Sequence, residues 1–274
     1  MIPLPSKKFK LIIILLFIII IFFLVTKFAT KKVPKMNDGD QIESILENKT
    51  KKAGEVVNLE EKAPTKTEIK KAIKVKPFIC PLPQKEYEDM IFLNIGQETN
   101  LPDTTYIPKN LVKLEIESST KNICLIKEAK EAFDLMVKEI KKDGLTIKAS
   151  SGFRSYEYQK ILLENAIKNG SEDANVSIAK AGYSEHQLGT AIDITSLSIN
   201  YDSASGNFYK TKESDWLKEN AYLYGFIQSY PLGKEDITGY KSEPWHYRYV
   251  GIEKAKEIKD TSLTITEFLG KLQN

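Results

Sequence analysis

The stretch YSEHQLGTAIDIT, residues 183–195, contains His186, one of only two histidines in the chain, and Asp193 on a predicted strand. Apolar and polar residues alternate towards its end, so Ile192 and Ile194 face one way while Asp193 faces the other. A glycine between the histidine and the strand lets the chain turn back. We therefore expect the imidazole and the carboxylate to meet at one point on a sheet.

The second histidine, His246, lies in SEPWHYRYVG, which predicts another strand, with Glu243 three residues before it. Neutral imidazole and carboxylate are zinc ligands, and three protein ligands leave the fourth position for the water that a hydrolase needs. The sequence therefore predicts a zinc site formed by His186, Asp193 and His246. Glu243 is close enough to reach the catalytic water without binding the metal.

Each of these residues also has a simpler interpretation. A histidine followed by an aspartate seven residues later is common by chance, and a single histidine is more often structural than a ligand. Trp245 fits a core or a pocket wall, and Arg154, in SGFRSYEYQ, could be a salt-bridged surface residue. Only the three segments taken together favour a functional site.

The surrounding sequence predicts both helices and short strands. Apolar residues recur at helical spacing in residues 125–144, and residues 155–170 predict a second helix that Ser155 caps and Gly170 ends. A short strand is predicted at residues 145–152, and a helix at residues 214–227 is expected to begin with a serine or aspartate cap. Because the strands follow each other too closely for regular crossovers, we predict an α+β fold: a small, mainly antiparallel sheet flanked by helices, with the zinc site on the sheet.

The N-terminal part of the chain differs in composition from the rest. Residues 11–25 are an unbroken apolar run preceded by lysines, so residues 1–28 are predicted to be a transmembrane signal anchor. No A-x-A cleavage pattern follows the run, which favours an uncleaved anchor over the alternative of a removed secretory signal. Residues 29–77 contain no aromatic residue and predict a flexible, lysine-rich tether. Residues 78–274 contain both histidines and both cysteines and are predicted to be the folded, zinc-binding domain.

Charge and cysteine content constrain the partners and the compartment. The excess of 40 basic over 37 acidic residues, a net charge of +3, is too small to favour nucleic acid as a partner. Cys80 and Cys124 are the only cysteines and lie on the predicted outer side of the anchor. A disulfide that ties the start of the domain to its first long helix and a pair of buried free thiols are both compatible with this pattern.

Three segments in this order, SGFRSYEYQ, SEHQLGTAIDI and EPWHYRYVG, resemble the zinc D-alanyl-D-alanine carboxypeptidases of the VanY type, within the LAS metallopeptidases. The resemblance covers residues 145–251. It implies that zinc is the cofactor and that a peptidoglycan stem peptide ending in D-alanine is the substrate, cut on the extracytoplasmic side of the cell membrane. It also implies roles for seven residues: metal binding by His186, Asp193 and His246, general base catalysis by Glu243, stabilisation of the scissile carbonyl and its oxyanion by Arg154, and substrate contacts from Gln159 and Ser184.

Other functions remain compatible with the same segments. Related enzymes include L,D-carboxypeptidases, which remove D-alanine from a stem tetrapeptide, and endopeptidases that cut cross-links. A non-catalytic wall-binding module with a structural zinc is disfavoured, because such a module has no need for Glu243 and Arg154. A membrane-tethered structural protein without metal is the remaining alternative.

Overall fold

A computed structural model of the chain describes residues 78–85, 90–115, 119, 122–202 and 206–273. The predicted anchor, residues 1–28, and the predicted tether, residues 29–77, lie outside the described residues. Within the described part of the chain, no helix combines the length and the apolar content that crossing a membrane requires.

Short strands and helices of varied length alternate along the described chain. The strands are β1 (Leu111–Lys113), β2 (Cys124–Ile126), β3 (Ile147–Ser151), β4 (Ala191–Ser196), β5 (Phe226–Gln228) and β6 (His246–Tyr249). The α-helices are α1 (Lys127–Lys142), α2 (Tyr156–Lys168), α3 (Ala174–Ser177), α4 (Lys212–Asn220), α5 (Glu235–Thr238), α6 (Ile252–Thr261) and α7 (Ile265–Gln273). The predicted α+β class, with small antiparallel sheets flanked by helices, is confirmed.

Four strands form the main sheet in the order β3-β4-β6-β5, and every neighbouring pair is antiparallel. Strands β1 and β2 form a separate antiparallel pair. In the main sheet, Asp193 of β4 lies directly opposite His246 of β6. Because cross-strand partners project from the same face of a sheet, this register places two of the predicted ligands side by side.

The opposite face of the sheet packs against α1. Ile192, Ile194 and Tyr247 belong to the same buried cluster as Phe133 and Met136 of the helix. All five side chains are at most 1% exposed. One face of the sheet is thus committed to the apolar core, and the other is left for polar groups.

The largest differences from the prediction concern two helices. The helix predicted over residues 214–227 ends early, because α4 stops at Asn220 and Phe226 and Ile227 belong to strand β5. Leu125 and Ile126, which the prediction included in the first helix, belong to β2, where Ile126 pairs with Leu111, so α1 begins at Lys127. Helix α4 begins at Lys212, before the predicted start, because the Thr211 side chain accepts a hydrogen bond from the backbone N–H of Ser214 at 3.1 Å. The predicted cap of α2 by Ser155 is confirmed.

Cys80 and Cys124 form a disulfide with a Cα–Cα distance of 6.0 Å. Of the two alternatives that the sequence left open, the structure therefore has the cross-link. It ties the start of the described chain to β2, immediately before α1, rather than to the helix itself.

Reduction of this disulfide is expected to lower the free energy of unfolding by about 2–4 kcal/mol, because the unfolded chain regains the entropy of an open loop. For a domain of this size, the loss corresponds to a fall in the melting temperature of about 5–15 °C. Thermal unfolding followed by circular dichroism with and without reductant measures the shift. A variant with Cys80→Ser and Cys124→Ser should melt at the same temperature in both buffers, and a wild-type melting temperature that ignores the reductant would contradict the prediction.

Candidate metal centre

His186 is held by a short 3₁₀ turn, Glu185–Leu188, which two residues separate from β4. Gly189 ends the turn with φ 71°, and a Cβ there would lie 2.8 Å from the ring of Pro108, so this position needs glycine. The imidazole Nδ1 lies 2.7 Å from the carbonyl oxygen of Gly152. Since a carbonyl only accepts, Nδ1 carries the proton, and the lone pair of Nε2 points towards Asp193 Oδ2 at 3.3 Å.

His246 faces the Asp193 carboxylate with Nδ1, whereas His186 faces it with Nε2. The Nδ1 of His246 lies 3.1 Å from Asp193 Oδ1, and its Nε2 lies 2.8 Å from Glu185 Oε2. The two imidazole rings are edge to face, with centroids 4.9 Å apart. One ligand atom each from His186, Asp193 and His246 falls within a group spanning at most 4.8 Å, so the structure brings the three predicted ligands together.

The donor set of this triangle, two imidazole nitrogens and one carboxylate, is one that zinc prefers. The carboxylate approaches both rings, with Asp193 Oδ2 3.3 Å from His186 Nε2 and Asp193 Oδ1 3.1 Å from His246 Nδ1. All three side chains are buried, so two nitrogens and one carboxylate converge with little competition from water.

Glu243 lies beside the triangle. Its backbone N–H donates to the carbonyl of Tyr230 at 2.9 Å, and its carbonyl accepts from the backbone N–H of His246 at 3.1 Å. Its Oε2 is 3.6 Å from His246 Nδ1. Burial raises the pKa of Glu243 to about 7. A carboxylate with a pKa near neutrality is well suited to exchange protons with a reacting group.

Arg154 contacts the triangle directly. Its Nη2 donates to Asp193 Oδ2 at 2.6 Å, and its Nε donates to Ser151 Oγ at 3.0 Å. The ion pair considered from the sequence is therefore present, but it lies in the cleft and not on the surface. Burial, together with the nearby Arg154 charge, lowers the pKa of His186 to about 4, which favours the neutral, metal-binding imidazole. Burial disfavours the ionised Asp193, but contacts with His186 and Arg154 hold the pKa of this carboxyl well below its usual value.

All seven predicted site residues line one cleft of about 250 Å³. The Nε2 of Gln159 donates to the carbonyl of Ala179 at 2.8 Å, which fixes the orientation of the amide. The Oε1 of Gln159 is buried and has no hydrogen-bond partner among the described residues. Ser184 is buried in the same wall of the cleft. Trp245 also lines the cleft, in agreement with the interpretation of this residue as part of a pocket wall.

Sequence reasoning missed a second layer of polar groups behind the ligands. Glu185, 2% exposed, contacts His246 and accepts from Arg248 Nη1 at 3.0 Å and from Ser229 Oγ at 2.5 Å. One signal was available: Arg248 follows His246 by two residues on a strand, so both share a face and the guanidinium needs a nearby acid. The aromatic walls Tyr230 and Tyr240 had no comparable signal.

Comparisons of the sequence and of the fold with known proteins both match carboxypeptidases. Residues 122–252 match the VanY family model, described as D-alanyl-D-alanine carboxypeptidase. The chain is 41% identical over 184 residues to the putative carboxypeptidase YodJ of Bacillus subtilis (strain 168), a match that covers 65% of this chain and 67% of that protein.

Solved structures that resemble the described fold include an LD-carboxypeptidase and a D,D-pentapeptidase. The LdcB LD-carboxypeptidase is 40% identical with a TM-score of 0.60, and the match covers 65% of this chain and 84% of that one. A mutant of the vancomycin resistance D,D-pentapeptidase VanY from the VanB-type cassette, solved in complex with Zn(II), is 28% identical with a TM-score of 0.54. That match covers 65% of this chain and 98% of the other.

Proposed function

The chain belongs to the family of VanY D-alanyl-D-alanine carboxypeptidases, which are peptide hydrolases, and on that premise we propose that it is a zinc-dependent D-alanyl-D-alanine carboxypeptidase. Its substrate is a peptidoglycan stem peptide, from which it removes the C-terminal D-alanine. One observation carries the proposal: the buried triangle of His186, Asp193 and His246 shares a cleft with Glu243 and Arg154.

The residues of the cleft divide the chemistry between them. His186, Asp193 and His246 would hold the zinc, and its positive charge would lower the pKa of water towards about 7 and polarise the scissile carbonyl. Glu243 accepts a proton from the attacking water and passes it to the leaving amine. Its raised pKa allows both the basic and the acidic form to be reached near neutral pH.

Arg154 and Gln159 complete the site on the substrate side. A guanidinium has five N–H donors, more than the contacts to Ser151 and Asp193 use, and Arg154 lines the cleft. Negative charge on the scissile carbonyl oxygen exists only as the tetrahedral intermediate forms, so Arg154 stabilises the transition state more than the ground state. The buried Oε1 of Gln159 is available to accept an N–H of the peptide, and Ser184 borders the same space.

L,D-carboxypeptidase activity is the second candidate, because the chain is 40% identical to the LdcB LD-carboxypeptidase and 28% identical to the Zn(II)-bound D,D-pentapeptidase. Both reactions release D-alanine through the same catalytic residues and differ in the residue that precedes it. Tyr230, Tyr240 and Trp245 form aromatic walls of the same cleft, and we propose that a preference for that residue would arise there.

Mass spectrometry of defined stem peptides distinguishes the two activities. The full chain, purified in detergent, is expected to bind about one zinc per molecule and to shorten a pentapeptide stem by one D-alanine. Conversion of a tetrapeptide stem to the tripeptide, with the pentapeptide left intact, would establish the L,D activity instead. Well-folded protein that takes up no zinc and cuts neither peptide would overturn the proposal.

The proposed location is the cell membrane, with a single pass formed by residues 1–28 and the catalytic residues on the extracytoplasmic side. Two features support it: the apolar run of residues 11–25, and the Cys80–Cys124 disulfide, since such cross-links persist in oxidising compartments. A stem peptide of the cell wall is accessible on that side.

A further inference from the structure

Glu185 is a buried carboxylate next to a predicted ligand, but its contacts are with the other histidine. Its Oε2 lies 2.8 Å from His246 Nε2 and also accepts from Ser229 Oγ, while its Oε1 accepts from Arg248 Nη1 at 3.0 Å. Glu185 and His246 are 2% exposed and Arg248 is 1% exposed. The four side chains form one enclosed network behind the metal triangle.

This network determines which nitrogen of His246 can bind a metal. An ionised carboxylate can only accept hydrogen bonds, so Nε2 of His246 must carry a proton. The lone pair available for a metal is then on Nδ1, the nitrogen that faces Asp193 at 3.1 Å. His186 has the opposite arrangement, because its Nδ1 donates to the carbonyl of Gly152 and leaves Nε2 for the metal.

Arg248 holds Glu185 in the position that this role requires. Its Nη2 donates to the carbonyls of Ile91 and Leu93, both at 2.7 Å, so the guanidinium is fixed from two sides. A buried ion pair is in itself weak support for stability, since apolar residues of similar volume often serve the fold equally well. The contact with His246 Nε2 requires a hydrogen-bond acceptor, which an apolar pair in place of Glu185 and Arg248 could not supply.

We propose that Glu185 is a positioning residue that makes Nδ1 of His246 the metal-binding nitrogen and orients the ring towards Asp193. This inference rests on the proposed zinc site. Carboxylates that accept from a ligating histidine fix its tautomer and raise its basicity, and their loss typically lowers metal affinity about 10–100-fold. Glu185→Ala is therefore expected to raise the zinc dissociation constant by that factor.

The test uses the full chain in detergent with an affinity tag that contains no histidine. Because the chain has two histidines, nuclear magnetic resonance of isotopically labelled imidazole nitrogens gives one set of signals for each ring. In the zinc-loaded wild type, one histidine should bind through Nε2 and the other through Nδ1. Zinc affinity is measured separately, by competition with a chromophoric chelator.

Two further variants separate positioning from a general effect on folding. Glu185→Gln keeps an oxygen that can accept from His246 Nε2, so it should retain the Nδ1 signal and lose less than about tenfold in affinity. Glu213 is an equally buried acid, also 2% exposed, whose partner is Ser198 and not a histidine. Glu213→Ala should lower the melting temperature but leave the zinc affinity within about twofold of wild type, as expected for an independent site.

The outcomes distinguish this inference from the function on which it rests. Wild-type protein that binds no zinc would overturn both. Wild-type protein that binds zinc, with Glu185→Ala showing the same affinity and the same ligating nitrogens, would overturn the positioning role alone. If Glu185→Ala does not fold, Glu185→Gln decides: an affinity loss as large as that of a ligand variant, with the Nδ1 signal gone despite the retained acceptor, would also overturn it.

Discussion

Replacing Glu243 with glutamine is expected to lower D-alanine release by about 10²–10⁴-fold while zinc content and melting temperature stay near the wild-type values. Glutamine keeps the size of the side chain and its hydrogen-bonding oxygen but cannot accept the proton of the attacking water. The Glu243 carboxylate lies beside His246, 3.6 Å from Nδ1, so its removal leaves all three predicted ligands in place. Parallel measurement of bound zinc, thermal unfolding and peptide cleavage tests each part of this expectation.

Glu253→Gln is the matched control for Glu243→Gln. Glu253 is an exposed residue of α6, so the same chemical change there should alter neither cleavage nor zinc content. A Glu243→Gln protein that loses its zinc would show that Glu243 is a ligand. A Glu243→Gln protein that keeps substantial activity would show that another group accepts the proton of the attacking water.

The sequence predicted the face of the site well because period-two alternation is local information. In β4 the apolar Ile192 and Ile194 define the core side, so the direction of Asp193 follows without knowledge of any neighbouring strand. The role of Gly189 could likewise be predicted, since a left-handed turn between His186 and β4 requires a residue that tolerates positive φ.

Contacts between distant segments could not be predicted in the same way. Alternation identifies the face of β4 and of β6 but not that they are neighbours, and Asp193 and His246 are 53 residues apart in the chain. The ion pair of Arg154 with Asp193 depends on the placement of the segment after β3, which is also a long-range feature. The ligand chemistry of imidazole and carboxylate suggested combining Asp193 with the two histidines, whereas the role of Arg154 came from the family resemblance.

Buried charges were the least predictable part of the site. Glutamate and arginine are usually exposed, and only the folded structure shows that Glu185 and Arg248 neutralise each other in the interior.

The cap of α4 is a smaller ambiguity that the sequence also left open. Thr211 and Ser214 both offer a capping hydroxyl, and the choice of Thr211 depends on the turn that its own hydroxyl makes with the carbonyl of buried Phe208.

Replacing Asp193 with alanine is expected to abolish zinc binding and peptide cleavage together. The Asp193 carboxylate is the only anionic member of the predicted ligand set and contacts His186, His246 and Arg154. Without it, two imidazoles face the cation beside an unneutralised guanidinium, and the affinity loss should exceed the about 10–100-fold typical of residues outside the ligand set. Elemental analysis and cleavage of the pentapeptide stem, performed on the same preparation, measure both losses.

The contrast between Asp193→Ala and Glu243→Gln tests the whole assignment of roles, because one variant removes a ligand and the other removes a base. Asp193→Asn refines the comparison, because it keeps an oxygen ligand and the shape of the side chain. Any zinc that it retains beyond Asp193→Ala measures the contribution of the ligand atom apart from its charge.

Asp173→Ala controls for the loss of a carboxylate in general. That acid is exposed, pairs with Lys241 at the surface and should contribute less than about 1 kcal/mol of stability. Melting temperatures taken without zinc establish that each variant is folded. A folded Asp193→Ala protein that still binds one zinc as tightly as wild type would remove Asp193 from the ligand set, and with it the reason for the convergence of both histidines on this carboxylate.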